Sequence, residues 1–435
     1  CGWWTPAPAG VLDGSSALAR LGRMSHRHRP MKDDASCAQR ARRQFLRQSL
    51  LAAGVLAIGP RLVGRAFAAA TDGGLEAWDY GPLLPANAHG LRLPAGFSSR
   101  IIARADEVIG RSGYAWHRAP DGGACFAAGD GGWVYASNSE LGPGAGGVGA
   151  VRFDPQGNIV DAYRIADGTT RNCSGGPTPW GTWITCEETE RGRAIECDPL
   201  GRRPQRELPA LGWLYREAVA IDPRHGHVYH TEDRHDGRLY RSRHPDYPDL
   251  GTGVLEAAVM EPGDIHQPRR LRWIPVPHPN PNDSQPYTRL QVPEATVFDR
   301  GEGMWYHAGM VYFTTTADNR IWAIDCAAQT IQCIYDREAT SPAGIATGVD
   351  NLCATADGNL LVAEDGGELR LVMVTPEGRA APLLQVEHEG SELAGPAFSP
   401  DGTRLYFSSQ RGPAVDGNYG VTFEVSGPFR GARAA

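Results

Sequence analysis

Asp222-Pro223-Arg224-His225-Gly226-His227-Val228-Tyr229-His230 reads as a tight turn running into a strand. Asp, Pro and Gly supply the turn chemistry, and Val and Tyr suit a pleated, half-buried surface. The unit recurs as Asp154-Pro155-Gln156-Gly157-Asn158-Ile159-Val160 and Ala317-Asp318-Asn319-Arg320-Ile321-Trp322. It returns as Asp357-Gly358-Asn359-Leu360-Leu361-Val362 and Asp401-Gly402-Thr403-Arg404-Leu405-Tyr406. Spacings of roughly 40–70 residues fit β-propeller blades with loop insertions.

The rest of the chain agrees. Its 435 residues include 54 Gly and 33 Pro, which excludes a mostly helical bundle. No substantial helix pattern separates the strands, so a βαβ arrangement is not expected. The expected fold is all-β: a single β-propeller, six-bladed, with loop insertions. Two β-sandwich domains are the alternative, but no linker divides them. Residues 263–293, with Pro275, Pro277, Pro279 and Pro281, read as a long loop or a linker.

The N-terminal region has a different composition. Residues 1–30 resemble no folded element and are expected to be a non-native upstream extension, with Met31 as the start. Arg42-Arg43-Gln44-Phe45-Leu46-Arg47, the apolar run Leu50–Ile58 and Ala66-Phe67-Ala68 form a positive flank, an apolar core and a small-residue cleavage site. Residues 31–68 therefore read as a twin-arginine signal peptide. That implies the twin-arginine export machinery as a partner and a periplasmic or secreted destination. An amphipathic membrane-surface helix is the alternative. Residues 69–435 form the remaining domain, and no stable membrane span is expected after cleavage.

Removing residues 1–68 changes the charge. The whole chain carries −7, whereas the remainder holds 32 basic against 47 acidic side chains, a net of −15. Such a chain is a poor partner for nucleic acid and a plausible one for hard cations. Seven cysteines remain, from Cys125 to Cys353. An oxidising compartment would allow three disulfides and leave one thiol as a candidate metal ligand.

Carboxylates cluster beside strand ends in four segments. They are Asn172–Glu188; Arg216-Glu217-Ala218 with Thr231-Glu232-Asp233-Arg234; Phe298–Trp305; and Asp350-Asn351-Leu352 with Ala363-Glu364-Asp365-Gly366. Several carboxylates in one channel repel unless cations neutralise them. Calcium needs six to eight oxygens, and a thiolate such as Cys173 favours a transition metal. Arg300 and Glu302 would share one face if that stretch were a strand. A metal-bound carboxylate beside a guanidinium suits a phosphate ester. Taken singly, each Glu-Asp pair is equally well a polar turn between blades, and Arg300–Glu302 a surface ion pair.

The run Cys173-Ser174-Gly175-Gly176-Pro177-Thr178-Pro179-Trp180-Gly181-Thr182-Trp183-Ile184-Thr185-Cys186-Glu187-Glu188 resembles the signature of the PhoX family of alkaline phosphatases. The resemblance continues through Glu217-Ala218-Val219, Tyr229–Arg234, Arg300–Trp305, Asp350–Leu352, Glu364–Gly366 and Gly395–Gly402, over most of the chain after about residue 95. It implies iron and calcium as cofactors and a small phosphate ester as substrate. Monoesters, and diesters as a further class, would be hydrolysed at alkaline pH. It implies Cys173, Glu188, Glu232 and Glu302 on iron, and Glu217, Asp233, Glu364 and Asp365 among the calcium ligands. It gives Arg300 and Glu302 the catalytic roles, Arg300 gripping the phosphoryl group. A monomer is expected.

This chain departs from the family pattern in three places. Residues 69–435 are shorter than the best-known members, Arg216 stands where His is expected, and Thr189-Glu190-Arg191-Gly192 lacks an expected Asn. Two other functions would use a similar channel: a calcium-dependent lactonase or esterase, and a non-catalytic calcium-binding propeller.

Overall fold

The computed structural model describes residues 79–340, 345–413 and 417–430. The upstream extension, the signal peptide and the cleavage site near Ala69 lie outside the described residues. Two short strands, β1 (Leu91–Arg92) and β2 (Ser98–Arg104), come first. An antiparallel meander follows: β3 (Pro120–Ala127), β4 (Trp133–Ser139), β5 (Gly146–Phe153) and β6 (Ile159–Thr169). A second contains β7 (Asn172–Pro177), β8 (Trp183–Glu187), β9 (Ala194–Cys197) and β10 (Arg206–Glu207).

Nine strands then join in one sheet. The first five are β11 (Arg216–Asp222), β12 (His227–Glu232), β13 (Tyr240–Arg243), β14 (Val254–Met260) and β15 (Arg269–Pro275). The other four are β16 (Gly301–His307), β17 (Met310–Thr315), β18 (Arg320–Asp325) and β19 (Thr330–Asp336). The fourth sheet contains β20 (Val349–Ala354), β21 (Leu360–Glu364), β22 (Arg370–Val374) and β23 (Ala380–Val386), with β1 on its outer edge. The fifth contains β24 (Leu393–Phe398), β25 (Arg404–Ser409) and β26 (Val421–Ser426), completed by β2.

The arrangement is all-β and propeller-like. It differs from six separate blades in the nine-stranded sheet. There β15 pairs with β19 through Arg269↔Ile331 and Arg270↔Thr330, which joins two meanders by their outer strands. The Pro-rich stretch after β15 is ordered: Thr288 Oγ1 donates to Trp213 O at 2.5 Å, and Arg289 Nη1 to Glu190 at 2.5 Å.

Period-two strands put one apolar face against each neighbouring sheet. Val134, Ala136 and Val148 pack on Trp183 and Ile195. Ile184 and Cys186 pack on Val219 and Val228. Tyr229 and Ala218 pack on Phe313 and Trp322, Ile321 on Val362, and Leu361 on Phe407. Tyr135 and Phe153 meet Tyr406, which brings the last sheet onto the first. Each such large side chain contributes about 1.5–3 kcal/mol on burial. The six cores therefore hold β3, β7, β11, β16, β20 and β24 side by side in a closed ring.

All seven cysteines among the described residues are free thiols, so none of the disulfides that an oxidising compartment would allow is present. No helix among the described residues is long and apolar enough to cross a membrane.

Candidate functional site

The six inner strands share one irregularity. In each, the pairing with the next strand slips by one residue near its start. Pro120↔Ser139 gives way to Gly123↔Ser137, and Asn172↔Glu187 to Gly175↔Thr185. Arg216↔Glu232 gives way to Val219↔His230, Gly301↔Thr315 to Met304↔Phe313, and Val349↔Glu364 to Leu352↔Val362. The sixth slip, after Ala394↔Ser408, falls one residue later. A β-bulge of this kind re-aims a side chain. The residues just past the last regular pair are Asp121, Cys173, Glu217, Glu302 and Asp350, with Gly395 in the sixth strand.

Bulging brings backbones close together. A Cβ on Gly122 would stand 2.6 Å from Ser174 Cα, and one on Gly303 2.6 Å from Asn351 Cα. Polar side chains of the second strands satisfy the displaced carbonyls. Asn138 Nδ2 donates to Cys173 O at 3.1 Å, Thr231 Oγ1 to Glu302 O at 2.5 Å and Thr314 Oγ1 to Asp350 O at 2.7 Å. Each thereby ties one inner strand to the second strand of a neighbouring meander.

A second set of carboxylates follows the ends of the second strands: Glu140, Glu188, Asp233 and Asp365. Two groups have ligand atoms within 4.8 Å of one another: Asp121, Glu140 and Cys173, and Glu217, Glu302 and Asp350. Cys173 Sγ lies 3.6 Å from Asp121 Oδ2. Gln410 Nε2 donates to Asp121 at 2.6 Å and to Glu140 at 2.9 Å. Glu217 is wholly buried, and neither of its oxygens has a hydrogen-bond partner.

Burial first, and then the neighbouring negative charges, push these groups toward protonation. Glu217 is raised by burial and by Glu302 and Asp350, and Glu302 by burial and by Asp233 and Asp350. Asp121 is raised by burial and by Glu140, and Glu188 by burial, Glu140 and Asp233. Asp350 reaches about 8 through burial and Asp365. Burial and Asp121 raise the Cys173 thiol, and burial and Asp365 raise Glu392.

Three arginines offset part of this charge. Arg300 binds Asp233 at 2.7 and 3.0 Å and Glu302 at 2.9 Å. Arg171 binds Glu140 at 3.2 Å and Glu188 at 3.0 Å. Arg411 binds Glu392 at 2.6 Å. More carboxylates than guanidiniums remain. This oxygen-rich donor set with one thiol fits hard cations together with a transition metal.

Of the residues singled out in sequence, Cys173, Glu188, Glu217, Asp233 and Glu302 come together, and Asp365 stands beside Asp350. Glu232 and Glu364 do not join them. Successive residues of a strand point to opposite sides, so each faces away from its acidic neighbour. Glu232 accepts from Tyr240 Oη at 2.8 Å and Arg238 N at 3.2 Å. Glu364 accepts from Arg370 Nε at 3.0 Å and Thr347 N at 2.9 Å. Arg300 does meet Glu302, but not through a shared strand face: its φ is 55°, and β16 begins only at Gly301. Arg216, at the position where His was expected, is buried with Nη2 on Leu211 O and Gly212 O.

Sequence reasoning missed Asp121, Glu140, Arg171, Glu392 and Arg411, and it did not single out Asp350 as a ligand. Asp121-Gly122-Gly123 reads as a turn, and Glu140 lies in a Gly- and Pro-rich loop. A signal was available: Arg193 and Arg370 follow Glu187 and Glu364 by six residues and pair with them at 2.7 and 2.9 Å. That spacing marks the first carboxylate of each pair as the one turned away.

The family model described as alkaline phosphatase PhoX matches residues 135–203 and 191–332. The fold is similar to that of a Pseudomonas fluorescens PhoX solved with vanadate, a transition-state analogue. The TM-score is 0.68 at 17% identity, covering 81% of this chain and 99% of that one. A gluconolactonase from Xanthomonas campestris aligns at a TM-score of 0.44 and 16% identity, over 80% of this chain and 98% of that one. No curated protein matches. The family match takes in Cys173, Glu188, Glu217, Asp233, Arg300 and Glu302, so over residues 135–332 the chain is similar to the PhoX family of alkaline phosphatases.

Proposed function

We propose that the protein is an exported, metal-dependent alkaline phosphatase that releases phosphate from monoesters, with diesters as a second class. The observation that carries this reading is Glu217, wholly buried with both oxygens unpartnered and facing Glu302 and Asp350. A fold does not retain such a costly arrangement for packing. We assign iron to the thiol side of the cluster (Asp121, Glu140, Cys173) and calcium to the all-oxygen side (Glu217, Glu302, Asp350). Asp365 serves as an outer calcium ligand. When bound, the ions supply positive charge that polarises phosphoryl oxygens and lowers the pKa of water.

The chain's own residues do the rest. Arg300, anchored by Asp233 and Glu302, presents a fixed guanidinium to the phosphoryl group and offsets the charge that develops there. Glu302 and Glu217 orient the cluster from bulges in adjacent inner strands. Glu188 is held toward its protonated form by burial and by the charges of Glu140 and Asp233.

The nine-stranded sheet is read as two blades joined at their outer edges, which makes one six-bladed propeller of residues 69–435. Export by the twin-arginine route, a periplasmic or secreted location and a monomeric state complete the proposal. Lys-Lys in place of Arg42-Arg43 should block export, and size-exclusion chromatography with light scattering should return the monomer mass.

The decisive experiment pairs metal analysis of the folded protein with turnover of p-nitrophenyl phosphate at alkaline pH and added calcium. Iron with calcium and measurable turnover support the reading. Calcium alone, with no turnover of mono- or diester, rejects it.

A further inference from the structure

Arg171 and Arg300 occupy the same place in two different sheets. Each immediately precedes an inner strand, β7 or β16. Each has a left-handed backbone, with φ of 48° and 55°. That region is uncommon for any residue but glycine. Each reaches the carboxylate that follows the second strand of the preceding meander. Arg171 Nε and Nη2 bind Glu140 at 3.3 and 3.2 Å, and Arg300 Nε and Nη2 bind Asp233 at 2.7 and 3.0 Å. Each then uses Nη2 on a second carboxylate, Glu188 at 3.0 Å or Glu302 at 2.9 Å.

The donor use is therefore the same in both. Nε and Nη2 are fixed by carboxylates, while Nη1 makes no hydrogen bond to any described residue. Both side chains are partly open to solvent, 44% for Arg171 and 32% for Arg300. They are also neighbours across the cluster, because Asp233, which Arg300 binds, lies close enough to Glu188, which Arg171 binds, to raise its pKa. Arg171, Glu188, Asp233 and Arg300 lie together along the edge of the acidic cluster. A guanidinium held this way keeps two N–H groups ready for an anion.

We infer that Arg171 is a second substrate-contacting residue, which with Arg300 favours dianionic phosphate monoesters over monoanionic diesters. This rests on the phosphatase reading above. Two fixed guanidiniums match a phosphoryl group with three unesterified oxygens better than one with two.

The test compares Arg171→Gln and Arg171→Lys with wild type on p-nitrophenyl phosphate and bis(p-nitrophenyl) phosphate. Metal content is measured by emission spectroscopy and inorganic phosphate binding by calorimetry. R171Q should weaken phosphate binding and raise the monoester KM by about 10–100-fold, the value of one charged hydrogen bond. The diester KM should move much less, metal content should not change, and R171K should recover part of the loss. Unchanged phosphate affinity, equal losses on both esters, or loss of metal from R171Q would each overturn the inference. A wild type that turns over neither ester removes the phosphatase reading and this inference with it. An active wild type with an indifferent R171Q removes this inference alone.

Discussion

Thr231 Oγ1 lies 2.5 Å from the carbonyl oxygen of Glu302, 71 residues away, and accepts from Ala218 N at 3.1 Å. One hydroxyl thus satisfies two bulged strands and fixes the backbone that carries Glu217 and Glu302. Thr231→Val keeps the shape and removes both bonds. It should cost about 1–3 kcal/mol in urea denaturation, because buried groups are left unpaired, and lower turnover with it. Thr231→Ser should retain most of both. Wild-type stability in T231V would mean that the hydroxyl is not a clamp.

Glu217 and Glu364 are both fully buried, yet their substitutions should have opposite effects. Glu217→Gln removes a carboxylate without partners, so the metal-free protein should keep its stability while cation binding falls. Glu364→Gln breaks the contact with Arg370, whose side chain is 16% exposed. It should cost toward the low end of about 3–5 kcal/mol and leave metal stoichiometry intact. Calorimetric titration with calcium and urea denaturation of both variants check this. Loss of metal from E364Q would restore it as a ligand.

Without cations, stability should fall as pH rises. The Asp350 carboxyl goes from 3.8 to about 8 on folding, so the native state holds a proton that the unfolded chain has released. Its contribution is complete below pH 3.8 and is lost as pH passes about 8. Glu217, Glu302, Glu188 and Asp121 shift in the same direction. Melting temperatures of chelator-treated protein from pH 5 to pH 9 should decline. Calcium at 100 times its Kd should restore about 2.7 kcal/mol at the alkaline end. A flat profile would contradict the burial of these carboxylates.

Gly301 and Gly303 flank Glu302, but only one should resist substitution. A Cβ at position 303 would lie 2.6 Å from Asn351 Cα, whereas at position 301 its nearest neighbour is Thr231 Cβ at 3.4 Å. Gly303→Ala should cost about 1–3 kcal/mol by forcing strands apart, and Gly301→Ala much less. Equal thermal shifts would mean that the inner strands are not packed this closely.

The strand–turn units made the all-β propeller-like fold legible, because their local chemistry determines local structure. The outer-edge union of β15 and β19 was not legible, since it depends on two residue pairs about 60 positions apart. The acidic segments were legible as segments. Which carboxylate of Glu232-Asp233 or Glu364-Asp365 enters the cluster depends on strand parity, and parity depends on a bulge that sequence does not display. Asp121 and Glu140 were missed because a bulge aspartate and a loop glutamate look like turn residues until the ring gathers them.

The sheet that holds β24 to β26 takes its outermost strand from residues 98–104, near the other end of the described chain. During synthesis, β2 therefore waits without its partner until residue 426 has been made. Asp121 and Glu140 likewise wait for Gln410, which bonds both. The thiol side of the cluster thus depends on the last sheet, and a chain stopped before β26 would leave β2 without its partner.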